Sequence, residues 1–368
     1  MRPIYLLFLT DAWLRGEEPS HWTSEDLLNQ HVLGNERKLL RTRIEKYTGK
    51  DRCDTLLIAC LTLWRAATLL PDEELSSFLP EDWKLLDSAA KIIFQTDALQ
   101  LLTRLGLETQ GRLAPMRPDI LGELFILNPA ENRVEEHARL RLLRQVWRRP
   151  QEALPFFLRL ISDYQHQLDK YPDKWSKLLP ELETLSSEAI VSFAKLLEAE
   201  ASLTESITVA ELTVSQLEKL EREWAEKATL SQIFAKALCE LIKKEDAEES
   251  AATVNRLEDL FKEKSTDPEI TLCYANGLCA YSEKMKLAER FDIAARLETL
   301  SMMMPDDHRI ALAYAESLLL LAKKQFVIYA DESITTINRL EKLTLLYQND
   351  FCIILKYAQC LEQLAFFS

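Results

Sequence analysis

"PDDHRIALAYAESL", Pro305 to Leu318, holds a Tyr-Ala-x-x-Leu core that the chain uses again and again. The core returns at Tyr274-Ala275…Leu278 and Tyr357-Ala358…Leu361, and with Phe in place of Tyr at Phe193-Ala194…Leu197 and Phe234-Ala235…Leu238. The alanines of the copies stand at 194, 235, 275, 315 and 358, in steps of 41, 40, 40 and 43 residues. A period of this size is the mark of stacked supersecondary units, each too small to bury its own apolar face.

A second phrase shares the period. Leu-Glu recurs at Leu217-Glu218, Leu257-Glu258, Leu297-Glu298 and Leu340-Glu341, always 17 residues ahead of the next aromatic. Two helices therefore alternate in each unit. The constant spacing fixes the turn from second helix to next first helix, and the variable return distance of 23 to 26 residues puts length changes in the other turn. Asp267, Asp307 and Asp350 lie eight residues before Ala275, Ala315 and Ala358. That is where a helix start needs a side-chain acceptor for its free N–H groups. The repeated alanine permits close helix approach, with the aromatic and Leu filling the space around it. The tyrosines are thus expected in the core rather than on a ligand. Asn276, Glu316 and Gln359, between the fixed Ala and Leu, are candidate protein-binding residues; the plainer reading is a solvated face.

Composition sets outer limits. With 368 residues and 47% apolar content the chain can build two or three cores, so extensive disorder is disfavoured. The formal charge of −14 opposes broad contact with nucleic acid or anionic lipid. Seven cysteines form no C-x-x-C pair, and a buried, reduced state in the cytoplasm fits them better than a disulfide framework. The start "MRPIYLLFLTDAWLRG" imitates a signal peptide, but Asp11 ends the apolar run and no small-residue cleavage site follows. No segment reaches the roughly 20 apolar residues that cross a bilayer.

Six of the seven glycines precede residue 123, which marks a change of character. The expected organisation is a helical domain at 1–50, a winged-helix-like domain at 51–128, a connector helix at 129–150 and an α-solenoid at 151–368. The fold class is accordingly all-α in the main. In the first part Ser24 can cap a helix, "CDTLLIACLTLWRAATLL" reads as another, and "ETQGR" sits at the tip of a short hairpin whose second strand Pro115 confines to an edge. In "RVEEHARLRLLRQVWRR", Arg141, Arg144 and Arg148 share one helical face. They read as a solvated stripe pairing with acids, or as a contact for nucleic acid or an acidic partner.

Catalytic patterns are missing. There is no G-x-x-x-x-G-K-[ST] loop, no G-x-S-x-G elbow and no histidine pair at zinc-ligand spacing, and Glu135, Glu136 and His137 read as a solvated helix face. No catalytic and no metal-binding residue is assigned, and the chain is expected not to be an enzyme.

The repeat resembles the tetratricopeptide repeat, stretched from about 34 to about 40 residues; a HEAT-like pair also suits the period. Pro305 has no counterpart before Ala275 or Ala358, and the usual first-helix Trp is absent. "RPIYLLFLTDAWLRG" and "RLAPMRPDILGELFIL" resemble the segment that follows the nucleotide-binding core in STAND NTPases, especially the antiviral Avs-like group. That resemblance implies a helical domain, a winged helix and a tetratricopeptide-like sensor array. It also implies that Arg2 and Pro3 are the remnant of a Gly-x-Pro phrase beside a nucleotide, with Met1 at the Gly position. The chain itself would need no cofactor, with ATP and Mg²⁺ entering only where an NTPase domain completes it. The implied partners are a protein ligand, viral in the antiviral group, and either a P-loop ATPase chain or further copies of this one. With Met1 at a mid-protein position and "ILKYAQCLEQLAFF" lacking a partner helix, the chain is expected to be a piece of a longer protein or a subunit completed by another chain. Two other functions stay open: an independent scaffold that assembles a complex, and a DNA-binding regulator acting through Arg104, Arg112 or Arg117.

Overall fold

The structure is a computed structural model that describes residues 14, 33–48, 50–69, 100, 103–104, 108–109, 112–113, 116, 119–127, 133–170, 178–180, 182, 185–325 and 330–367. Among the described residues the chain is all-α apart from one two-stranded hairpin. It divides into two compact units, Met1–Ser192 and Phe193–Ser368.

In the first unit α1 (Gly34–Thr48) leads into α2 (Lys50–Leu69), whose Leu56, Leu57, Ala59, Cys60 and Leu61 are all buried. Buried side chains on several faces suit a helix surrounded by neighbours. α2 packs against α1, α3 (Asp119–Leu127), α4 (Arg133–Val146), α5 (Pro150–Lys170) and the short strand Arg112–Leu113. Gly122 sets the approach of α3: a Cβ there would stand 2.6 Å from Thr68 Cγ2 and 3.3 Å from the Met116 carbonyl. The expected hairpin is present as β1 (Glu108–Thr109) and β2 (Arg112–Leu113), with Glu108 opposite Leu113. The helices that would turn it into a winged helix fall at 88–106, mostly outside the described residues, as do the Ser24 cap and the start of the chain. The connector reading corresponds to α4, after which Trp147 stacks on Phe157 at 5.2 Å and α5 folds back on α2, α3 and α4.

The second unit is a run of helix pairs. First helices are α6 (Ser187–Leu203), α8 (Ala228–Lys244), α10 (Pro268–Lys284), α12 (His308–Gln325) and α14 (Phe351–Phe367). Second helices are α7 (Ile207–Glu223), α9 (Ala247–Glu263), α11 (Leu287–Met303) and α13 (Ala330–Leu346). From α8 onward each first helix packs on the next first helix, whereas second helices barely meet one another. This arrangement fits an α-solenoid in general terms, with the first helices forming its more closely packed layer. The repeated alanines explain the spacing: Ala194, Ala235, Ala275 and Ala315 are fully buried.

Turn lengths follow the periodicity. Every turn from second to next first helix has four residues, at 224–227, 264–267, 304–307 and 347–350, and each begins with an N–H bonded to the last helical turn, as in Lys264 N to Leu260 O at 3.0 Å. The reverse turns at 245–246 and 285–286 have two residues, and in the step that grew to 43 α12 ends at Gln325 and the next helix begins at Ala330. Asp267 accepts from Glu269 N and Ile270 N, Asp350 from Cys352 N and Ile353 N, and Asp307 from Arg309 N. Each thereby satisfies helix-start donors that would otherwise be orphaned.

Gly277 marks the tightest crossing in α10, since a Cβ there would lie 2.8 Å from Leu257 Cδ2 and 3.1 Å from Ile242 Cδ1. Gly277→Leu should therefore overpack the interface and cost roughly 1–3 kcal/mol. A lower urea midpoint checks this, and an unchanged midpoint would mean that the stack relaxes freely.

Candidate functional site

The stacking interface leaves one row of first-helix side chains outside the core. Lys195, Lys236, Asn276, Glu316 and Gln359 each follow the conserved-phase alanine by one position, and all are exposed or half-exposed. The row begins basic, passes through an amide and becomes acidic at Glu316, which pairs with Lys356 Nζ at 3.0 Å. Nearby, burial raises the Glu198 carboxyl while Lys236 and Lys195 draw it back. The structure thus aligns Asn276, Glu316 and Gln359 along one face. Arg2 and Pro3 lie outside the described residues.

A second pattern joins the units on the other layer. In the second helices an arginine stands two positions before the Leu-Glu glutamate, at Arg256, Arg296 and Arg339. Each reaches back to the glutamate of the preceding second helix: Arg256 to Glu218 at 2.5 Å, Arg296 to Glu258, and Arg339 to Glu298 at 3.9 Å. The same guanidinium groups cover first-helix rings, Arg256 over Phe234 at 5.8 Å and Arg296 over Tyr274 at 5.4 Å. Tyr274 is stacked on its other side by Phe261, at 4.9 Å. The planar guanidinium suits both contacts, because it can bond a carboxylate in its plane and lie against a ring with its face. Sequence reading found the Leu-Glu phrase but missed the arginine; the signal was its constant place two residues before the glutamate.

Charge is also buried in the first unit. Glu135, expected with Glu136 and His137 on a solvated face, is instead fully buried, because α4 turns it toward Arg37 and Arg65. Arg37 Nη2 lies 2.6 Å and Arg65 Nη1 2.9 Å from its oxygens, while Arg139 donates to the Ile126 carbonyl at 2.7 Å. Burial alone would raise the Glu135 carboxyl, but the two arginines hold it below the usual range. The side chains of Arg141 and Arg144 lie outside the described residues, and Arg148 is exposed. Glu123 behaves differently: burial, then the Asp163 charge, push it up to about 7 against the pull of Arg159.

The buried thiols are inert by environment. Six of the seven free cysteines are buried, and burial pushes Cys60, Cys273 and Cys279 up to about 12 and Cys239 to about 11. At neutral pH such groups hold almost no thiolate. Among the described residues no group of His, Cys, Asp and Glu could hold a metal ion, and no helix is long and apolar enough to cross a membrane. A groove of about 650 Å³ separates the turns before α12 and α14, but Arg309 on its wall is already held by Asp307 at 2.8 Å and Glu269 at 3.0 Å. No protein-family model, curated protein or solved structure matches this chain.

Two outcomes follow from these charges. Arg296→Met keeps the packed stem but removes the Glu258 and Tyr274 contacts, and should lower stability by about 1 kcal/mol, read from denaturant midpoints. Glu123 has a folded-state pKa above its unfolded value, so the folded state binds the extra proton between about 4.5 and about 7. Its contribution to stability is then full below 4.5 and falls as pH rises through 7. Glu123→Gln should flatten that part of the Tm-against-pH curve, and an identical slope in both proteins would refute the assignment.

Proposed function

We propose that this chain is a non-catalytic recognition module that takes a protein ligand along the exposed first-helix row of its repeats. The observation that supports the reading is a division of labour at single-residue resolution. At positions 235, 275 and 315 the residue is always a buried Ala, whereas the next position is Lys236, Asn276 and Glu316. Packing constrains the first set. Core packing does not constrain the second, and only Glu316 has an ion pair within the stack, to Lys356, so the row can be fitted to a partner.

Within that reading, the module is the winged-helix and tetratricopeptide-like sensor portion of a STAND-type defence or signalling ATPase. The nucleotide-binding core, with its ATP and Mg²⁺, would belong to an associated P-loop protein. The module order and the N-terminal phrases around Arg2 and Pro3 support this. The −14 formal charge favours a protein ligand over nucleic acid.

Affinity capture from the host, with and without viral challenge, tests the proposal. Recovery of a P-loop ATPase, together with a challenge-dependent protein, is expected. Asn276→Arg combined with Glu316→Arg should weaken retention of that protein at least tenfold while leaving Tm within a few degrees. A ligand retained equally by the double variant would remove the row from consideration. Recovery of stable host subunits alone would favour a scaffold.

A further inference from the structure

The last two residues of every second helix are exposed: Arg222 and Glu223, Lys262 and Glu263, Met302 and Met303, Leu345 and Leu346. The first two pairs are charged, as suits a solvated helix end, whereas the last two are apolar. Exposure here belongs to the position in the repeat. Met302 and Met303 are followed by α12, α13 and α14, yet are 68% and 52% exposed. A further helix pair stacked on α14 would leave this edge as open as the pairs after Glu223, Glu263 and Met303 do.

The apolar residues are grouped. Leu346 and the exposed Phe351 line the groove of about 650 Å³ between the turns before α12 and α14, and Met303 lines a second, of about 510 Å³, between the turns before α10 and α12. His308 and Arg309 belong to both, so the two grooves adjoin. Single exposed apolar residues are ordinary, but a run of them along adjoining grooves marks an interaction surface. The change also removes an ion pair. Glu218 is held by Arg222 and Arg256, and Glu258 by Lys262 at 3.0 Å and by Arg296. Met302 stands where Arg222 and Lys262 stand, so among the described residues Glu298 keeps one cation, Arg339 at 3.9 Å. Leu345 follows the exposed Glu341 at the same spacing.

We infer that this turn edge, from Met302 and Met303 to Leu345, Leu346 and Phe351, is a docking site for a basic amphipathic segment of a partner protein. The apolar side chains of that segment fill the two grooves, and a Lys or Arg meets Glu298 as Lys262 meets Glu258. Charge selects this occupant. The rim carries Glu298, Glu341, Asp306 and Asp350 against Lys342, because Arg309 and Arg339 are already engaged. A second copy would set the same acids against one another, and an anionic lipid surface requires cations that the rim lacks. The flexible Met302 and Met303 side chains suit a surface that moulds to its ligand. The edge lies at helix ends, whereas Asn276 and Glu316 are near the middle of theirs.

The test uses the 368-residue chain and a fluorescent helical peptide built of Leu, Gln and Lys, with leucines on one face and lysines flanking them. Its control carries Glu for every Lys. Saturable binding of the Lys peptide by anisotropy is expected, at least tenfold tighter than that of the Glu peptide. Met302→Lys, Met303→Glu, Leu345→Lys and Leu346→Glu together give both turns the residues of Lys262 and Glu263, and should weaken binding at least tenfold. Net charge is unchanged in that variant, so the loss cannot come from bulk attraction, and circular dichroism should show unchanged helix content because all four positions are exposed. Asn276→Arg with Glu316→Arg should leave peptide binding intact, which separates this edge from the ligand row. Absence of saturable binding, equal binding of the Glu peptide, or equal binding to the fourfold variant overturns the proposal. So does a dimer in sedimentation, or flotation with phosphatidylcholine vesicles, that the fourfold variant abolishes. A photo-crosslinker at position 303 that joins only segments of its own chain in the host overturns it too, because the occupant is then intramolecular.

Discussion

The second unit depends on one constraint: neighbouring first helices must come close enough for their backbones to share a thin interface. Ala235, Ala275 and Ala315 meet it by having almost no side chain, and Gly277 meets it by having none. Phe234, Tyr274, Tyr314 and the leucines then fill the space on either side. Close packing forbids both a void and an extra methylene at such a crossing, which explains why the small and large positions hold their phase over four steps. Turns of fixed length follow from the same constraint, because a helix that must land in one register cannot accept a variable lead-in.

The arginine ladder builds on that geometry instead of creating it. Its ion pairs are partly exposed, and exposed pairs contribute little. What the arginines add is direction. A guanidinium that must satisfy a glutamate on one helix and a ring on another accepts only one rotational setting of the helix carrying it. The apolar stripe alone would tolerate some sliding. Lys284 adds a similar restraint near the opposite turns, donating to the Ile242 and Glu245 carbonyls and to Ser250 Oγ. Arg290 does so with the carbonyls of Met285, Glu283 and Leu320. These cations sit where helix C-terminal carbonyls lack intrahelical partners.

The first unit solves a different problem. α2 is enclosed by other elements, so its charged Arg65 cannot reach bulk water and is instead matched to Glu135, with Phe125 beneath it at 4.4 Å. Burial lowers the Arg65 pKa to about 10 even though the Glu135 charge and hydrogen bond pull it back up. Such a pair is costly to break from one side alone. It ties α1, α2 and α4 into one arrangement through a single carboxylate.

The amino-acid sequence determined by itself everything that repeats locally: helix phase, the aspartate caps, the constant second-to-first turn and the small-residue positions. Each of these depends on residues within one or two helical turns, so period and propensity are enough to read them. It also placed Asn276, Glu316 and Gln359 in one phase. Only the tertiary structure decided which charges meet. Arg256 and Glu218 are 38 residues apart, and Arg37 and Glu135 are 98 apart. A charged residue on a helix looks solvated in sequence whether or not a distant partner waits for it. Tertiary packing likewise decided that α5 lies with α2, α3 and α4, and that α14 buries Ile353 and Cys360 while leaving Ile354, Ala358 and Leu361 open. Burial is a property of what arrives from elsewhere in the chain, and no local pattern encodes it.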